Sequence, residues 1–323
     1  MVCSSELTVL ITGSGLIGTQ IARQFIENGE TAIVYDISPQ LKPMSELIDI
    51  SKIKIVRGDV LDFPNLASTL KENQVDKIVH TAALLPGGLM KSLYNGIRVN
   101  TDGTLNVLEA MRLTGAKRLV YTSTVGVYSK DAPGEYFEED ISEIRPGSLY
   151  GATKLMSEYM GINYARTFGI DFRIVRFANI IGPWSGDIQT GTGGFVKQLL
   201  EGALSGKDTH IQNPFPMVLE AEWVYSIDAA VAVWLLMNKD QIANNVFNIG
   251  TGKVTKAEEI IASIQKLIPS ARTTLGSAKP MAVKPMSISR AKQELGWSPQ
   301  YDLNAMTKSM IDWYRIHPPT PRN

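Results

Sequence analysis

The 323-residue chain sets 32 Lys plus Arg against 32 Asp plus Glu, so no net field draws it to nucleic acid, an anionic membrane or a charged polymer. Its length suffices to bury a large core without cross-links, and the single cysteine, Cys3, excludes an intrachain disulfide and fits a reducing compartment. Residues 1–8 lack a signal-peptide pattern and no run reaches the roughly 18–20 apolar residues of a membrane span, so the expectation is a cytoplasmic protein whose partners are small molecules or a second copy of itself.

Short β-branched runs then alternate with helix-period segments. A buried strand at 8–12, a helix at 16–27 closed by Asn28-Gly29 and a strand at 31–35 make one βαβ unit. Further strands are expected at 53–57, 77–81, 118–122 and 172–176, with helices at 64–72, 101–112 and 149–168 between them. Gly115 and Gly169 stand where the last two helices should stop. Beyond Arg176 the regularity falls away into loops at 182–184, 191–194 and 213–216 around a helix near 195–204. A helix at 226–237 and a strand at 246–249 return to the main sheet, and helices near 256–267, 289–295 and 303–313 follow. The fold class is α/β: a doubly wound parallel-sheet Rossmann domain (1–178 plus 223–250) with a smaller C-terminal substrate lobe (179–222 plus 251–323).

Gly13-Ser14-Gly15-Leu16-Ile17-Gly18 follows the first strand and opens a helix, the context that makes a glycine pattern a dinucleotide site. Gly13 permits the turn, Gly15 lets a pyrophosphate approach the backbone, and Gly18 lets helix and strand pack closely. The phosphates then meet free N–H groups at the helix N-terminus. Asp36 ends the second strand; its carboxylate can accept from ribose hydroxyls and repels a 2′-phosphate, which favours NAD over NADP. Asp59, before Val60, can meet the adenine amino group or serve as an ordinary helix-entry acid; spacing does not decide between them.

Tyr150 and Lys154 are four residues apart at the start of a helix, so phenol and ammonium share a face. A tyrosine base working near neutral pH needs its phenolate stabilised, and the ammonium and an oxidised nicotinamide would do this. The spacing alone is poor evidence; position decides. The pair follows the fifth strand, which ends in Tyr121-Thr122-Ser123-Thr124, so Thr124 can share a substrate oxygen with Tyr150, or simply satisfy a loop. His80, at a strand end, reads as a partly buried structural residue. The three histidines are scattered without ligand spacing, so no metal is expected.

These segments, with Gly58-Asp59-Val60, His80-Thr81-Ala82-Ala83, Asn100-Thr101-Asp102-Gly103-Thr104, Arg176 to Asn179 and Trp223-Val224-Tyr225, resemble the extended short-chain dehydrogenase/reductases of the NAD-dependent epimerase/dehydratase group over nearly the whole length. The resemblance implies that Tyr150 is the acid/base, that Lys154 binds the nicotinamide ribose, and that Thr124 positions the substrate. It further implies that Thr81, Ala82 and Ala83 line the cofactor, that Asn100 supports the site, and that Asn179 falls where relatives touch substrate. It also implies a homodimer that packs helices 101–112 and 149–168 into a four-helix bundle.

Four departures bear on function. The glycine loop is one residue shorter than usual in extended members. Val125-Gly126 stands where dehydratases carry Asp-Glu. Glu220-Ala221-Glu222 and Lys284-Pro285-Met286 stand where nucleotide-sugar members place arginines on the diphosphate. An apolar loop, 84–88, replaces a polar one and brings Leu85 towards the substrate. From these features the leading reading is a dehydrogenase that oxidises a secondary alcohol of a small polyol, hydroxy acid or sugar-like substrate with NAD. The alternative is a sugar or nucleotide-sugar epimerase that returns the hydride, and a non-catalytic dinucleotide sensor is disfavoured because a binder gains nothing from a tuned phenol.

Overall fold

The computed structural model describes residues 8–186, 192–212, 214, 216–278 and 283–318. Its first half runs β1 (Thr8–Thr12), α1 (Leu16–Glu27), β2 (Thr31–Asp36), α2 (Leu41–Ser45), β3 (Lys54–Arg57), α3 (Phe63–Glu72), β4 (Val75–His80), α4 (Pro86–Lys91), α5 (Leu93–Thr114), β5 (Arg118–Thr124), α6 (Leu149–Phe168) and β6 (Asp171–Phe177). There follow β7 (Asn179–Ile181), α7 (Thr192–Ser205), β8 (Thr209–Ile211), α8 (Pro216–Leu219), β9 (Glu220–Tyr225), α9 (Ser226–Asn238), β10 (Val246–Ile249), β11 (Val254–Lys256), α10 (Ala257–Leu267), β12 (Thr273–Leu275) and α11 (Leu303–Ile316).

Seven parallel strands form the main sheet in the order β10-β6-β5-β4-β1-β2-β3. The chain runs outward from β1 to β3 and resumes on the other side at β4, so a crevice opens between the carboxyl ends of β1 and β4. Alternate side chains serve opposite faces. Val9 and Ile11 pack with Phe25 of α1 and Val233 and Leu236 of α9, whereas Leu10 packs with Leu66 of α3 and Val107 and Met111 of α5. Helices on both faces explain why the strands read as unbroken apolar runs. Gly115 and Gly169 end α5 and α6 in the left-handed region, with φ of 83° and 73°, as the sequence predicts.

A second core joins a three-stranded sheet, β11-β9-β7, and a two-stranded one, β12-β8, to α7, α10 and α11 through Trp223, Tyr225, Leu199, Ile260, Met310 and Tyr314. The expected boundary at 223 falls inside β9, whose side chains serve both cores: Val224 packs with the main sheet, Trp223 and Tyr225 with the second.

Some segments read as loops are helical. Within 84–88, Pro86 opens α4, where its missing N–H costs nothing. Thr192 to Gly194 begin α7 despite two glycines, because Phe195, Val196, Leu199 and Leu200 bury its apolar face in the second core. Pro216 opens α8. Helix α5 starts at Leu93, well before the expected 101; Gly96 lies inside it because α4 passes close, and a Cβ there would lie 2.9 Å from Leu89 Cα. Cys3, Gly191, Asn213 and Phe215 lie outside the described residues. Among the described residues no helix is long and apolar enough to cross a membrane, and no His, Cys, Asp and Glu cluster could hold a metal.

Candidate active site

The glycine turn is stitched to the ends of its neighbours. Gly13 N donates to Tyr35 O at 2.8 Å, Thr81 N and Oγ1 donate to Thr12 O at 3.1 and 2.5 Å, and Ala82 N donates to Thr12 Oγ1 at 3.3 Å. Gly13, at φ +92°, has no room for a side chain, since a Cβ would lie 2.7 Å from Thr81 Oγ1. At Gly18 a Cβ would lie 2.0 Å from Gly13 O, whereas at Gly15 it would meet nothing within 4 Å. Gly15 caps α1 without a side-chain hydrogen bond, and no acid occupies the first turn. The helix N-terminus therefore leaves its first-turn amides, Leu16 to Gly18, without a side-chain cap beside the open space at Gly15, the donor set an anionic pyrophosphate needs.

Asp36 closes the turn from β2: Oδ2 accepts from Ser14 N at 2.6 Å and Oδ1 from Ser38 N at 2.7 Å. Each oxygen keeps a lone pair for a ribose hydroxyl. Asp59 is not a helix cap, a part taken by Asp62; its Oδ1 accepts from Leu61 N at 2.9 Å. The Val60 side chain is buried against Gly103 of α5, and Asn106 Nδ2 donates to its carbonyl at 2.9 Å. The residues at the switch point thus fit NAD: an open glycine turn, uncapped amides and an acid at the end of β2.

His80 is fully buried at the end of β4, with Nδ1 2.6 Å from Thr12 Oγ1 and Nε2 3.1 Å from Thr104 Oγ1. Burial, and secondarily Lys154, push it down to about 3, so it is neutral and structural.

Ser148 caps α6, its hydroxyl accepting from Gly151 N at 3.1 Å, which sets Tyr150 and Lys154 on the first two turns. The turn after β5 seats on this helix end at Gly151, where a Cβ would lie 2.3 Å from Gly126 O. Thr124, whose Oγ1 accepts from Gly126 N at 3.1 Å, is carried to the same place. Lys154 Nζ is buried, donates to Thr122 O at 2.8 Å, and lies 4.9 Å from the Tyr121 ring centre and 5.8 Å from that of Tyr150. In the chain alone burial dominates: it pushes the Tyr150 phenol above its ordinary value and the Lys154 ammonium down to about 7, against the pull of Glu158.

Asn100 ties three parts together. Its Oδ1 accepts from Leu84 N at 2.7 Å, and its Nδ2 donates to Leu84 O at 3.1 Å and to Thr153 Oγ1 at 3.2 Å. It thereby fixes the loop after β4 against the helix bearing Tyr150, a bracing contact to the protein itself. Leu85 caps α4 and is exposed. Asn179 opens β7 beside β9, with Nδ2 donating to Glu222 O at 3.0 Å.

Two buried groups were not legible as site residues. Glu158, one turn beyond Lys154, pairs with Arg176 of β6 at 2.7 Å. An acid at the i+4 position after Lys154 was the available signal. Glu222 is buried and accepts from Gly252 N at 2.6 Å and Met286 N at 2.8 Å. Lys284 donates to Ala132 O.

A parallel sheet with this switch point and a Tyr/Lys/Thr set at its carboxyl edge defines a dinucleotide-dependent enzyme fold. Residues 9–250 match the model of the NAD dependent epimerase/dehydratase family, and the chain belongs to that family. It is 26% identical to a UDP-glucuronate 4-epimerase of Thermodesulfobacterium geofontis, over 94% of this chain and 95% of that one. Among solved structures it resembles MoeE5 in complex with UDP-glucuronic acid and NAD (25% identity, TM-score 0.80, 96% of this chain and 99% of that one). It also resembles an L-threonine dehydrogenase of Phytophthora infestans (28% identity, TM-score 0.80, 96% of this chain and 99% of that one). NAD is the cofactor of the family, as the Asp36 reading predicts. On the reaction, the sugar and nucleotide-sugar epimerase alternative is the better supported; the polyol or hydroxy-acid dehydrogenase that leads from sequence is the less supported.

Proposed function

We propose that this chain is a sugar or nucleotide-sugar epimerase that oxidises a secondary alcohol transiently and reduces the resulting carbonyl from the other face. The observation that carries the chemistry is Lys154, a buried ammonium held on Thr122 O, 5.8 Å from the Tyr150 ring and beside the Thr124 turn. NAD, when bound, supplies the hydride acceptor and then the donor. Thr124 holds the substrate oxygen, and Tyr150 takes its proton and gives it back. Lys154, with a cationic nicotinamide alongside, would lower the cost of the phenolate that Tyr150 must be before it takes that proton and again once it has returned it, each unit of pKa being worth about 1.4 kcal/mol. The names of the relatives support the epimerase reading, and Val125-Gly126 after Thr124 leaves dehydration without its acid pair.

A second reading, dehydrogenation of a small hydroxy compound, is favoured by Glu222 and Lys284, both committed to backbone partners on the substrate side, and by the likeness to a threonine dehydrogenase. Incubation with NAD and a panel of UDP-sugars, free sugars and L-threonine separates the two. Isomer interconversion without free NADH supports the first, and NADH in proportion to substrate consumed replaces it with the second. Tyr150→Phe should bind NAD yet lose at least about 100-fold in turnover; full turnover would remove the acid/base assignment.

We also infer that two copies pair through α5 and α6. Ile97, Leu105, Leu149, Met156 and Tyr159 form an exposed apolar set on these adjoining helices, larger than single scattered surface residues.

A further inference from the structure

We propose that Glu158 and Arg176, which touch no reacting atom, are positioning residues that set the proton affinity of Tyr150 and Lys154; this rests on that pair being the acid/base of the proposed reaction. The ground is geometric. Among the described residues no carboxylate lies within 4.0 Å of Lys154 Nζ. Glu158 is the acid on the same face of α6, one turn further on. Its carboxylate is fixed on every side: Oε1 accepts from Ser123 Oγ at 2.5 Å and Arg176 Nε at 3.1 Å, and Oε2 accepts from Arg176 Nη2 at 2.7 Å. Arg176 is held in turn, donating to Tyr128 Oη at 3.0 Å and Glu139 O at 3.2 Å.

A charge count gives the pair its function. Glu158 and Arg176 are 2% and 5% exposed and Lys154 is 3% exposed, so with Lys154 protonated two cations and one anion share a dry region. One positive charge is in excess, and a phenolate at Tyr150 neutralises it. The other titratable groups packed here do not alter the count. His80 of β4 is neutral, burial holds Tyr121 of β5 and Tyr128 protonated, and Glu139, pushed upward by burial, offers Arg176 only its backbone carbonyl while its Oε1 accepts from Asn248 N at 2.9 Å. Without Glu158 the Arg176 charge is uncompensated, and every proton nearby is held less tightly. Without Arg176 the reverse holds.

The test reads Tyr150 directly and needs no substrate. The pH titration of tyrosinate absorbance is recorded on the NAD-loaded protein, and the Tyr150→Phe curve in the same background is subtracted. Glu158→Gln should lower the Tyr150 midpoint by on the order of 1 pH unit and Arg176→Gln should raise it by a similar amount. A purely structural pair would lower melting temperature in both variants without moving the midpoints in opposite directions, and that outcome overturns the proposal. Deleting one partner of a buried ion pair is strongly destabilising, whereas removing both is often tolerated. The Glu158→Gln/Arg176→Gln double variant therefore provides a second test. Its Tyr150 midpoint should fall between those of the two single variants; a midpoint outside that range overturns the proposal. Loss of turnover in Tyr150→Phe with unmoved midpoints condemns the pair alone, while retained turnover condemns the acid/base reading itself.

Discussion

Alanine at Gly15 and at Gly18 should damage the protein in opposite ways. At Gly18 the added methyl would lie 2.0 Å from Gly13 O and 3.0 Å from Gly13 C, both backbone atoms of a turn already pinned to Tyr35 and Thr81. Neither can rotate away, so strand and helix must separate, at about 1–3 kcal/mol for a forced methyl in a packed site. At about 2–4 °C per kcal/mol the melting temperature should fall by roughly 2–12 °C. At Gly15 the backbone is extended, with φ −69° and ψ −175°, and nothing stands within 4 Å of the new methyl. The free chain should keep its stability to within about 1 kcal/mol. The methyl does occupy the space before the Leu16 and Ile17 amides, and NAD affinity should fall at least about tenfold, or 1.4 kcal/mol. Differential scanning fluorimetry without NAD and fluorescence titration with it separate the two effects. Wild-type NAD affinity in Gly15→Ala would refute the assignment of that opening to the pyrophosphate, and an unshifted melting temperature in Gly18→Ala would refute the packing argument.

Glu222 predicts a pH dependence of stability. Burial pushes its carboxyl up to about 7, against the downward pull of amides at Met286, Gly252 and Thr251. With the folded value above the unfolded one, the native chain retains a proton that the unfolded chain has released, so stability falls as pH rises between the two. From pH 5 to pH 7.5 the wild type should lose on the order of 2 kcal/mol relative to Glu222→Gln in urea unfolding; parallel profiles would contradict this. Leu105→Glu with Met156→Lys should convert a dimer to a monomer in light scattering while leaving far-ultraviolet circular dichroism unchanged, and an unaltered mass would rule out the α5/α6 face as the interface.

The main sheet was legible because its signals are local. Unbroken runs such as Val9 to Ile11 and Val120 to Thr122, glycines at helix ends and the strand–turn–helix setting of Gly13 to Gly18 each depend on a few adjacent residues. The segments that failed depend on distant partners. The first two turns of α5, from Leu93, lie outside the expected helix and include Gly96, which fits there because α4 lies against it, and Gly193-Gly194 reads as a loop until the apolar face of α7 meets the second core. The site divides in the same way. Tyr150 and Lys154 were legible from their place on the helix after the fifth strand and Asp36 from its place at the end of the second, but the Glu158–Arg176 pair joins a helix to a strand. Glu222 is an acid whose burial only the fold reveals.

The difference between the two readings of function comes down to where an anionic substrate could find positive charge. Among the described residues beside β9 and β11, Lys256 faces Glu220, Lys253 faces Glu259, and Lys284 is bonded to Ala132 O. Glu222 occupies the position next to Ala221 as a buried acid, so a diphosphate brought there would meet carboxylates rather than arginine forks. The cofactor side, by contrast, has its amides at the start of α1, its acid at the end of β2 and its ammonium on α6, around the carboxyl edge of the parallel sheet. On the proposed reading the redox step is built on the seven-stranded sheet, while substrate recognition falls to the short strands β7, β9 and β11. For that reason unphosphorylated sugars belong in the substrate panel beside UDP-sugars, even for an epimerase.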